Sequence, residues 1–259
     1  MRPINPVDEQ RSSIEKYLSL VNRQLSTIMS CILNIETSTS VCSVALSADG
    51  EVLFEKSSFE GPSHAALLGV YVEEAIVVTK EKGLKLDAVA VSSGPGSYTG
   101  LRIGVSVAKG LCFGYGIPLI SIPTLEVLAV AALEQQNNAS DCLYCAMLDA
   151  RRMEVYAAIY DVNLKTVRET SADIVDAETY ASWLEKGKVC FFGNGAAKCR
   201  EVITSPNALF IDNIHPLAVN MITLSEKAFA GSQFEDVAYF EPFYLKEFQA
   251  TIAKNKVLG

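Results

Sequence analysis

A glycine-rich segment between an apolar strand and an apolar helix constrains this chain more than any other feature. Residues 93–104 read SGPGSYTGLRIG, after the strand-like run 88–92 and before the helix-like run 105–113. Glycine and proline at such a joint allow tight turns and close approach of the backbone, and the N–H groups at the start of a helix favour an anion. The segment matches neither the spaced glycines of a dinucleotide-binding fold nor the Gly-Lys-Ser/Thr ending of a P-loop. It therefore predicts a strand-loop-helix unit and leaves its ligand open.

Strand-like and helix-like runs alternate along the rest of the chain, which predicts an α/β class. A three-stranded meander comes first, with Asp49-Gly50 as a hairpin turn, and a helix over residues 63–82 follows and ends at Gly83. The polar residues 135–141 are interpreted as the link into a second lobe. The predicted organisation is an N-terminal extension over residues 1–28, a first lobe over 29–134, a second lobe over 135–215, and a C-terminal helix and tail over 216–259 that return to the first lobe.

Residues 1–28 precede the first predicted strand and carry a helical pattern of their own. Ser12 and Glu15 are spaced as in a capping box, and apolar residues recur at helical spacing from Leu18 to Ile28. We expect this segment to be a dispensable tail or an upstream mis-start, with Met29 as the working start.

Composition excludes several classes of function. The chain has 259 residues, 49% of them hydrophobic, and a formal net charge of −8. An acidic chain does not neutralise a phosphate backbone by itself, so any nucleic acid is expected to be reached through a partner or a local basic patch. The sequence contains no run of 18 apolar residues, so it predicts no membrane span. Seven cysteines without a secretory signal predict the reducing cytoplasm.

Cys142 and Cys145 form the chain's C-x-x-C pattern. A redox or zinc site is one interpretation, and two buried thiols on a strand are the other. The second is favoured, because residues three apart on a strand point to opposite faces, and no second such pair is present to complete a zinc site.

Five short segments, taken together in their order along the chain, identify a protein family more specifically than any one of them does. They read ILNIETST at 32–39, CSVAL at 42–46, GPGSYTGLRIG at 94–104, LDARRMEVY at 148–156 and EPFYL at 241–245. With these segments the chain resembles the TsaB (YeaZ) family over nearly all of its length beyond the N-terminal extension.

The resemblance implies an actin-like ATPase fold, ribonuclease H-like, with two stacked α/β lobes. It also implies a non-catalytic scaffold or activator subunit in the biosynthesis of threonylcarbamoyladenosine in tRNA, at the adenosine beside the anticodon. The implied partners are a TsaD-like transferase, in a heterodimer, and a TsaE-like ATPase; self-association is a further pairing, and tRNA is expected to be reached only through the complex. ATP or ADP with magnesium is expected at that complex rather than on this chain alone.

By the same resemblance, the turn after the first strand corresponds to the turn that wraps nucleotide phosphates in actin-like ATPases. Hydroxyl and backbone N–H groups suit that task, and the first residue of the turn is a candidate to hold magnesium through water. An ordinary hydroxyl-rich turn is the alternative. The candidate nucleotide-binding residues are Glu36, Thr37, Ser38, Thr39, Gly94 and Gly96.

Charged residues also cluster at the tip of the predicted hairpin of the second lobe. The resemblance favours Asp149 and Arg151 as contacts for a nucleotide, for tRNA or for a partner. A solvated loop tip is the alternative, since charged tips are common.

No catalytic residue and no metal ligand is expected. The family's transferase carries a His-x-x-x-His pair whose positions correspond here to Thr124 and Leu128, and the chain's two histidines are His64 and His215 in separate segments. Two other functions stay open: a stand-alone actin-like ATPase or hydrolase that uses Glu36 and the glycine-rich loop, and a self-associating module that senses nucleotide.

Two helices of the first lobe are apolar around most of their circumference, whereas a surface helix has one apolar stripe. We interpret the excess as a helical docking surface for the partner, with full burial inside the lobe as the alternative. The residues expected at this surface are Leu68, Tyr71, Val72, Ala75, Leu101, Gly104, Val107, Ala108 and Leu111.

Overall fold

The structure, a computed structural model, describes residues 30–61, 64–136 and 141–246. The predictions for the extension 1–28 and for residues 137–140 of the link lie outside these ranges. Within them, strands and helices alternate in an α/β fold built on two sheets, which confirms the predicted class.

The first sheet and its helices come from the first half of the chain. The elements are β1 (Cys31–Glu36), β2 (Cys42–Ala48), β3 (Glu51–Ser58), α1 (His64–Glu81), β4 (Ala88–Gly94), α2 (Tyr98–Tyr115) and β5 (Leu119–Pro123). The strand order is β3-β2-β1-β4-β5, with β1 antiparallel to β2 and parallel to β4. The β2–β3 hairpin turns at Asp49 and Gly50, whose φ angles of 51° and 80° are those of the tight turn that Asp-Gly predicts.

The second sheet follows a connecting helix. The elements are α3 (Thr124–Gln135), β6 (Cys142–Asp149), β7 (Glu154–Tyr160), β8 (Thr166–Ile174), α4 (Ala181–Leu184), β9 (Lys188–Phe192), α5 (Ala196–Cys199), β10 (Ala208–Ile211), a 3₁₀ helix (Ala218–Met221) and α6 (Ile222–Ala230). The strand order is β10-β9-β6-β7-β8. The sequence pattern predicts neither β8 nor β10. It predicts a helix near residues 177–185, where only the single turn of α4 forms.

α3 lies between the two sheets and contributes to both cores. Leu125 and Leu128 pack in the core of the second sheet, and Val127 and Val130 pack in a core of the first sheet. A helix that is apolar on all sides is thus buried on opposite sides by two sheets. The 3₁₀ helix and α6 return to the same face of the first sheet, where Met221 packs.

α1 and α2 cover the other face of the first sheet, and the structure corrects the predicted docking surface there. Seven of the nine predicted residues already pack in the core of the first lobe, so they are not available to a partner. Val107 and Leu111 are half-buried at the edge of that core. The buried residues are Leu68, Tyr71, Val72, Ala75, Leu101, Gly104 and Ala108.

All seven cysteines are free and buried. Cys142 packs on one side of the second sheet and Cys145 on the other, as their spacing predicts. Burial raises the pKa of Cys31, Cys42 and Cys112 to about 11. In the described ranges, no helix is long and apolar enough to cross a membrane.

Candidate functional site between the two lobes

A cleft of about 1020 Å³ opens between the two lobes. Its first-lobe wall is formed by residues 38–40 and by residues 95–100, at the start of α2. Its second-lobe wall is the tip of the β6–β7 hairpin, residues 148–154, with Asn194 beside it. The C-terminal segment 243–246 lines the mouth. The cleft therefore brings together most of the segments that carry the sequence resemblance.

The turn after β1 carries a buried carboxyl group. Glu36 is fully buried, and its Oε1 accepts a hydrogen bond of 2.5 Å from the backbone N–H of Ser38. Burial raises the pKa of Glu36 to about 7, although the neighbouring polar groups of Ser38 and Ser92 oppose the rise. Among the described residues, Glu36 Oε2 and Ser38 Oγ have no hydrogen-bond partner. Glu36 and Thr37 lie beneath the turn and do not line the cleft, whereas Ser38 and Thr39 do.

Spaced glycines, one just before α2 and two within it, let the helix lie directly on this turn. A methyl group at Gly96 would overlap the carbonyl oxygen of Ser38, one at Gly100 the carbonyl oxygen of Thr37, and one at Gly104 the Thr37 hydroxyl. The contact is also held by Thr37 Oγ1, which donates to the Gly100 carbonyl at 2.8 Å. The glycines therefore serve close packing of the backbone.

Contacts at the starts of α2 and α1 hold the same turn from two sides. Ser97 caps α2, because its Oγ accepts from the N–H of Gly100 at 3.2 Å, and its own N–H donates to the Ser38 carbonyl at 2.6 Å. His64, the first residue of α1, has its Nε2 2.8 Å from the Thr39 carbonyl oxygen. Since a carbonyl can only accept, Nε2 donates. His64 therefore holds the turn, and within the described ranges it belongs to no group of three potential metal ligands.

Gly94 receives the C-terminal segment, a feature that the sequence predicts only through the EPFYL motif. Gly94 is buried with a φ of 104°, and a methyl group there would lie 2.8 Å from the carbonyl oxygen of Phe243. The Phe243 N–H donates to the Ser93 carbonyl at 2.7 Å. Gly94 is therefore a packing residue and does not line the cleft.

The second-lobe wall presents two arginines on a backbone conformation that is rare for them. Arg151 and Arg152 have φ angles of 70° and 47°, in the left-handed region that costs a residue with a side chain about 1 kcal/mol or more. Both are exposed and line the cleft. Asp149 is also at the tip, but it forms an ion pair with Lys198. The structure thus brings Asp149 and Arg151 to the cleft and adds Arg152.

A lysine holds the tip in this conformation. Lys198 Nζ donates to the carbonyl oxygens of Arg152 at 2.7 Å and Glu154 at 2.6 Å, besides its ion pair with Asp149. The Asp149 N–H donates to Asn194 Oδ1 at 2.9 Å. Lys198 on α5 is thus a structural cation, and no spacing pattern in the sequence predicts this contact.

The residues of the turn do not fit the magnesium and phosphates of a nucleotide. Glu36, the candidate ligand, is buried away from the cleft, and the Ser38 N–H already bonds to it. In the described ranges, no group of three His, Cys, Asp or Glu side chains is arranged to hold a metal ion. Thr124 and Leu128, which by the family resemblance correspond to the transferase's histidine pair, are buried in α3.

Comparison with known protein families identifies the class of protein to which this two-lobed fold belongs. The family model "TsaD: tRNA N6-adenosine threonylcarbamoyltransferase" matches residues 60–254. The domain that it describes is of the actin-like ATPase superfamily. The class is therefore a TsaD-like, two-lobed α/β domain.

Relatives within this class are more specific. The chain is 30% identical to the tRNA threonylcarbamoyladenosine biosynthesis protein TsaB of Escherichia coli K12, covering 88% of this chain and 98% of that protein. It is 30% identical to the TsaB of Bacillus subtilis 168, covering 83% and 93%. YeaZ from Pseudomonas aeruginosa has a solved structure with a TM-score of 0.71 and 28% identity, covering 84% of this chain and 100% of that one. The chain belongs to the TsaB (YeaZ) family.

Proposed function

We propose that this chain is a non-catalytic subunit of the machinery that makes threonylcarbamoyladenosine in tRNA, at the adenosine beside the anticodon. The observation that carries the proposal is the match to TsaB of Escherichia coli over 98% of that protein's length. The transferase's histidine positions are here a buried threonine and a buried leucine, Thr124 and Leu128, so the bond-making chemistry is assigned to a partner. That partner is a TsaD-like transferase.

The proposed docking surface is the outward side of α1 and α2. The two helices contact each other, and large apolar side chains stay exposed on both: Val70 by 47%, Val77 by 44% and Phe113 by 87%. Val107 and Leu111 are half-buried beside them. Exposed apolar groups on adjacent helices are typical of a helical interface. These exposed residues take the place of the buried ones that the sequence analysis assigns to the docking surface.

The wider complex follows from the family resemblance. A TsaE-like ATPase joins the pair, ATP or ADP with magnesium binds at the complex, and tRNA is reached through the complex, in keeping with the net charge of −8. Self-association through the same helices is the competing use of the surface. Seven free cysteines favour a reducing compartment such as the cytoplasm.

Reconstitution with subunit omission tests the proposal. The chain is mixed with the TsaD-like and TsaE-like proteins of the same source, and threonylcarbamoyladenosine is measured in tRNA by mass spectrometry of nucleosides. We expect product with the full set, a loss of at least tenfold when this chain is left out, and none from this chain alone. Modification of tRNA by the isolated chain would instead support the stand-alone enzyme, which the burial of Glu36 does not favour.

A further inference from the structure

Two thiol groups meet on one face of the second sheet. Cys142 is the first residue of β6, and Cys190 lies in β9, the neighbouring parallel strand. The register places Tyr144 opposite Cys190, so the two cysteines are offset by two residues and point to the same face. Both pack there in the core that α3 covers. Their Sγ atoms are 2.9 Å apart, so only a small movement separates them from a bonded pair.

The same two cysteines are the most accessible of the seven. Cys142 is 9% exposed and Cys190 is 4% exposed, whereas each of the other five is 2% exposed or less. Because the reaction of a thiol requires access for the reagent, a small reagent reaches this pair first. Cys145, the other member of the C-x-x-C pattern, is fully buried on the opposite side of the sheet. The structure therefore pairs Cys142 with Cys190 and not with Cys145.

The two thiols have different roles in a reaction with a reagent from solvent. Burial raises the pKa of Cys190, and the neighbouring Cys142 raises it further. Cys142 is the more exposed of the two and lies at the end of its strand. Since the thiolate is the nucleophile, we expect Cys142 to react first with the reagent and Cys190 to attack the product at close range.

We propose that Cys142 and Cys190 are an oxidisable dithiol, which a low-molecular-weight disulfide such as glutathione disulfide converts to an intramolecular disulfide between β6 and β9. The Cys142 thiolate attacks one sulfur of the reagent, forms a mixed disulfide and expels one thiolate. Cys190 then gives its proton to solvent, attacks Cys142 Sγ and expels the second thiolate. The two protein thiols lose two electrons and two protons, and the reagent takes up both to become two thiols.

The cross-link would lie far from the sites described above. Asp149, at the other end of β6, lines the cleft, about 23 Å from Cys142 by the rise of a strand. The docking surface on α1 and α2 belongs to the first lobe, so the dithiol is independent of the proposed function. Cys142 and Cys190 are 48 residues apart, and the loop that their disulfide closes contains β7 and β8. Closing such a loop restricts the unfolded chain and stabilises the second lobe.

Oxidation of the full-length chain followed by peptide mapping tests the proposal. The reduced protein is incubated with excess glutathione disulfide, the remaining thiols are blocked with a maleimide in denaturant, and the disulfides are located by mass spectrometry. We expect the native protein to lose two of its seven thiols to a single Cys142–Cys190 disulfide, and its melting temperature to rise by about 5 °C or more. Oxidation in urea is the control, and there the pairing should be mixed.

Single alanine variants test the order of the two steps. In Cys190→Ala we expect a glutathione adduct to remain on Cys142, and in Cys142→Ala we expect Cys190 to react at least tenfold more slowly than Cys142 does in wild type. The matched control is Cys145→Ala, which should form the disulfide as wild type does. The map of the wild-type protein does not depend on whether a variant folds. A native protein that keeps all seven thiols, that pairs Cys142 with Cys145, or that forms only intermolecular disulfides would overturn the proposal.

Discussion

The buried carboxyl group of Glu36 accepts a hydrogen bond of 2.5 Å from the backbone N–H of Ser38, two residues further along the chain. The turn after β1 thus carries an acceptor for its own backbone. A turn of this type can offer its N–H groups to a phosphate, but here the Ser38 N–H is already bonded to Glu36. Because the turn bonds to its own carboxyl group, Glu36 and Thr37 are buried and do not line the cleft.

The raised pKa of Glu36 predicts how stability depends on pH. Burial raises this pKa from its ordinary 4.5 to about 7, so between these values the folded chain holds a proton that the unfolded chain releases. The contribution of Glu36 to the free energy of unfolding is fully present below pH 4.5 and is lost as the pH rises through 7, by at most about 1.4 kcal/mol per pH unit. Glu36→Gln keeps an acceptor for Ser38 and does not titrate. We expect the free energy of unfolding of Glu36→Gln, minus that of wild type, to grow from pH 5 to pH 7.

Urea unfolding at several pH values measures this difference in the free energy of unfolding. The effects of the other titrating groups cancel, because both proteins contain them. The control is Glu201→Gln, whose side chain is exposed, and its difference from wild type should be flat across the same range. A flat difference for Glu36→Gln as well would contradict the burial argument.

The contact between Gly100 and Thr37 predicts a second outcome. In Gly100→Ala the new methyl group meets the carbonyl oxygen of Thr37, a backbone atom that cannot rotate away. We expect a loss of about 1–3 kcal/mol in the free energy of unfolding, as for other overpacked sites. Gly110→Ala in the same helix is the control, because nothing lies within 4 Å of its added methyl group. It should gain up to about 1 kcal/mol from helix propensity, and equal stability of the two variants would be evidence against the close contact.

The sequence predicted the first lobe well because its patterns are local. Asp49-Gly50 specifies its own turn, and the apolar runs of β1, β2 and β4 are buried in the sheet. The glycine-rich segment was expected at a strand-helix joint and lies there. Its packing partner, Thr37, is 63 residues away from Gly100, and no local pattern names such a partner.

Three features escaped prediction for physical reasons. β8 alternates exposed and half-buried residues at the edge of its sheet, so its apolar signal is weak. Helices apolar on all sides do not reveal which side faces the core, so Val72 was favoured for the interface although it is 5% exposed. The backbone conformation of the hairpin tip at Arg151 and Arg152 depends on Lys198, which lies 46 residues from Arg152 in the sequence.

The corrected docking surface makes opposite predictions for two valines of α1. Val72→Glu places a charge in the core, and we expect it to destabilise the fold by about 3 kcal/mol or more. Val77→Glu, at 44% exposed, should change stability by less than about 0.5 kcal/mol and weaken binding to the TsaD-like partner at least tenfold. Val167→Glu is the control on the second lobe, at 40% exposed, and should bind as wild type does. Undiminished binding by Val77→Glu would move the interface elsewhere.

The unpredicted strand β8 is held by a half-buried charge cluster, which gives the last prediction. Asp173 bonds the guanidinium of Arg168 at 2.5 and 2.8 Å and the hydroxyl of Tyr180 at 2.7 Å. Burial alone would raise the pKa of Asp173, but these bonds and that from Ser171 outweigh it and lower the pKa. The stabilisation is therefore present above the ordinary pKa of 3.8 and is lost as pH falls below it.

Asp173→Ala leaves Arg168 without its partner in a site where the arginine side chain is 25% exposed. We expect a loss of about 3 kcal/mol in the free energy of unfolding at pH 7, and a smaller loss at pH 3, where wild-type Asp173 is itself being protonated. Asp212→Ala, which breaks the exposed pair with Arg200, should cost less than about 1 kcal/mol. Guanidinium chloride would screen both pairs, so urea unfolding is the measurement. If both variants lose the same small amount, the ion pair does not hold β8, and the ladder with β7 alone fixes the strand.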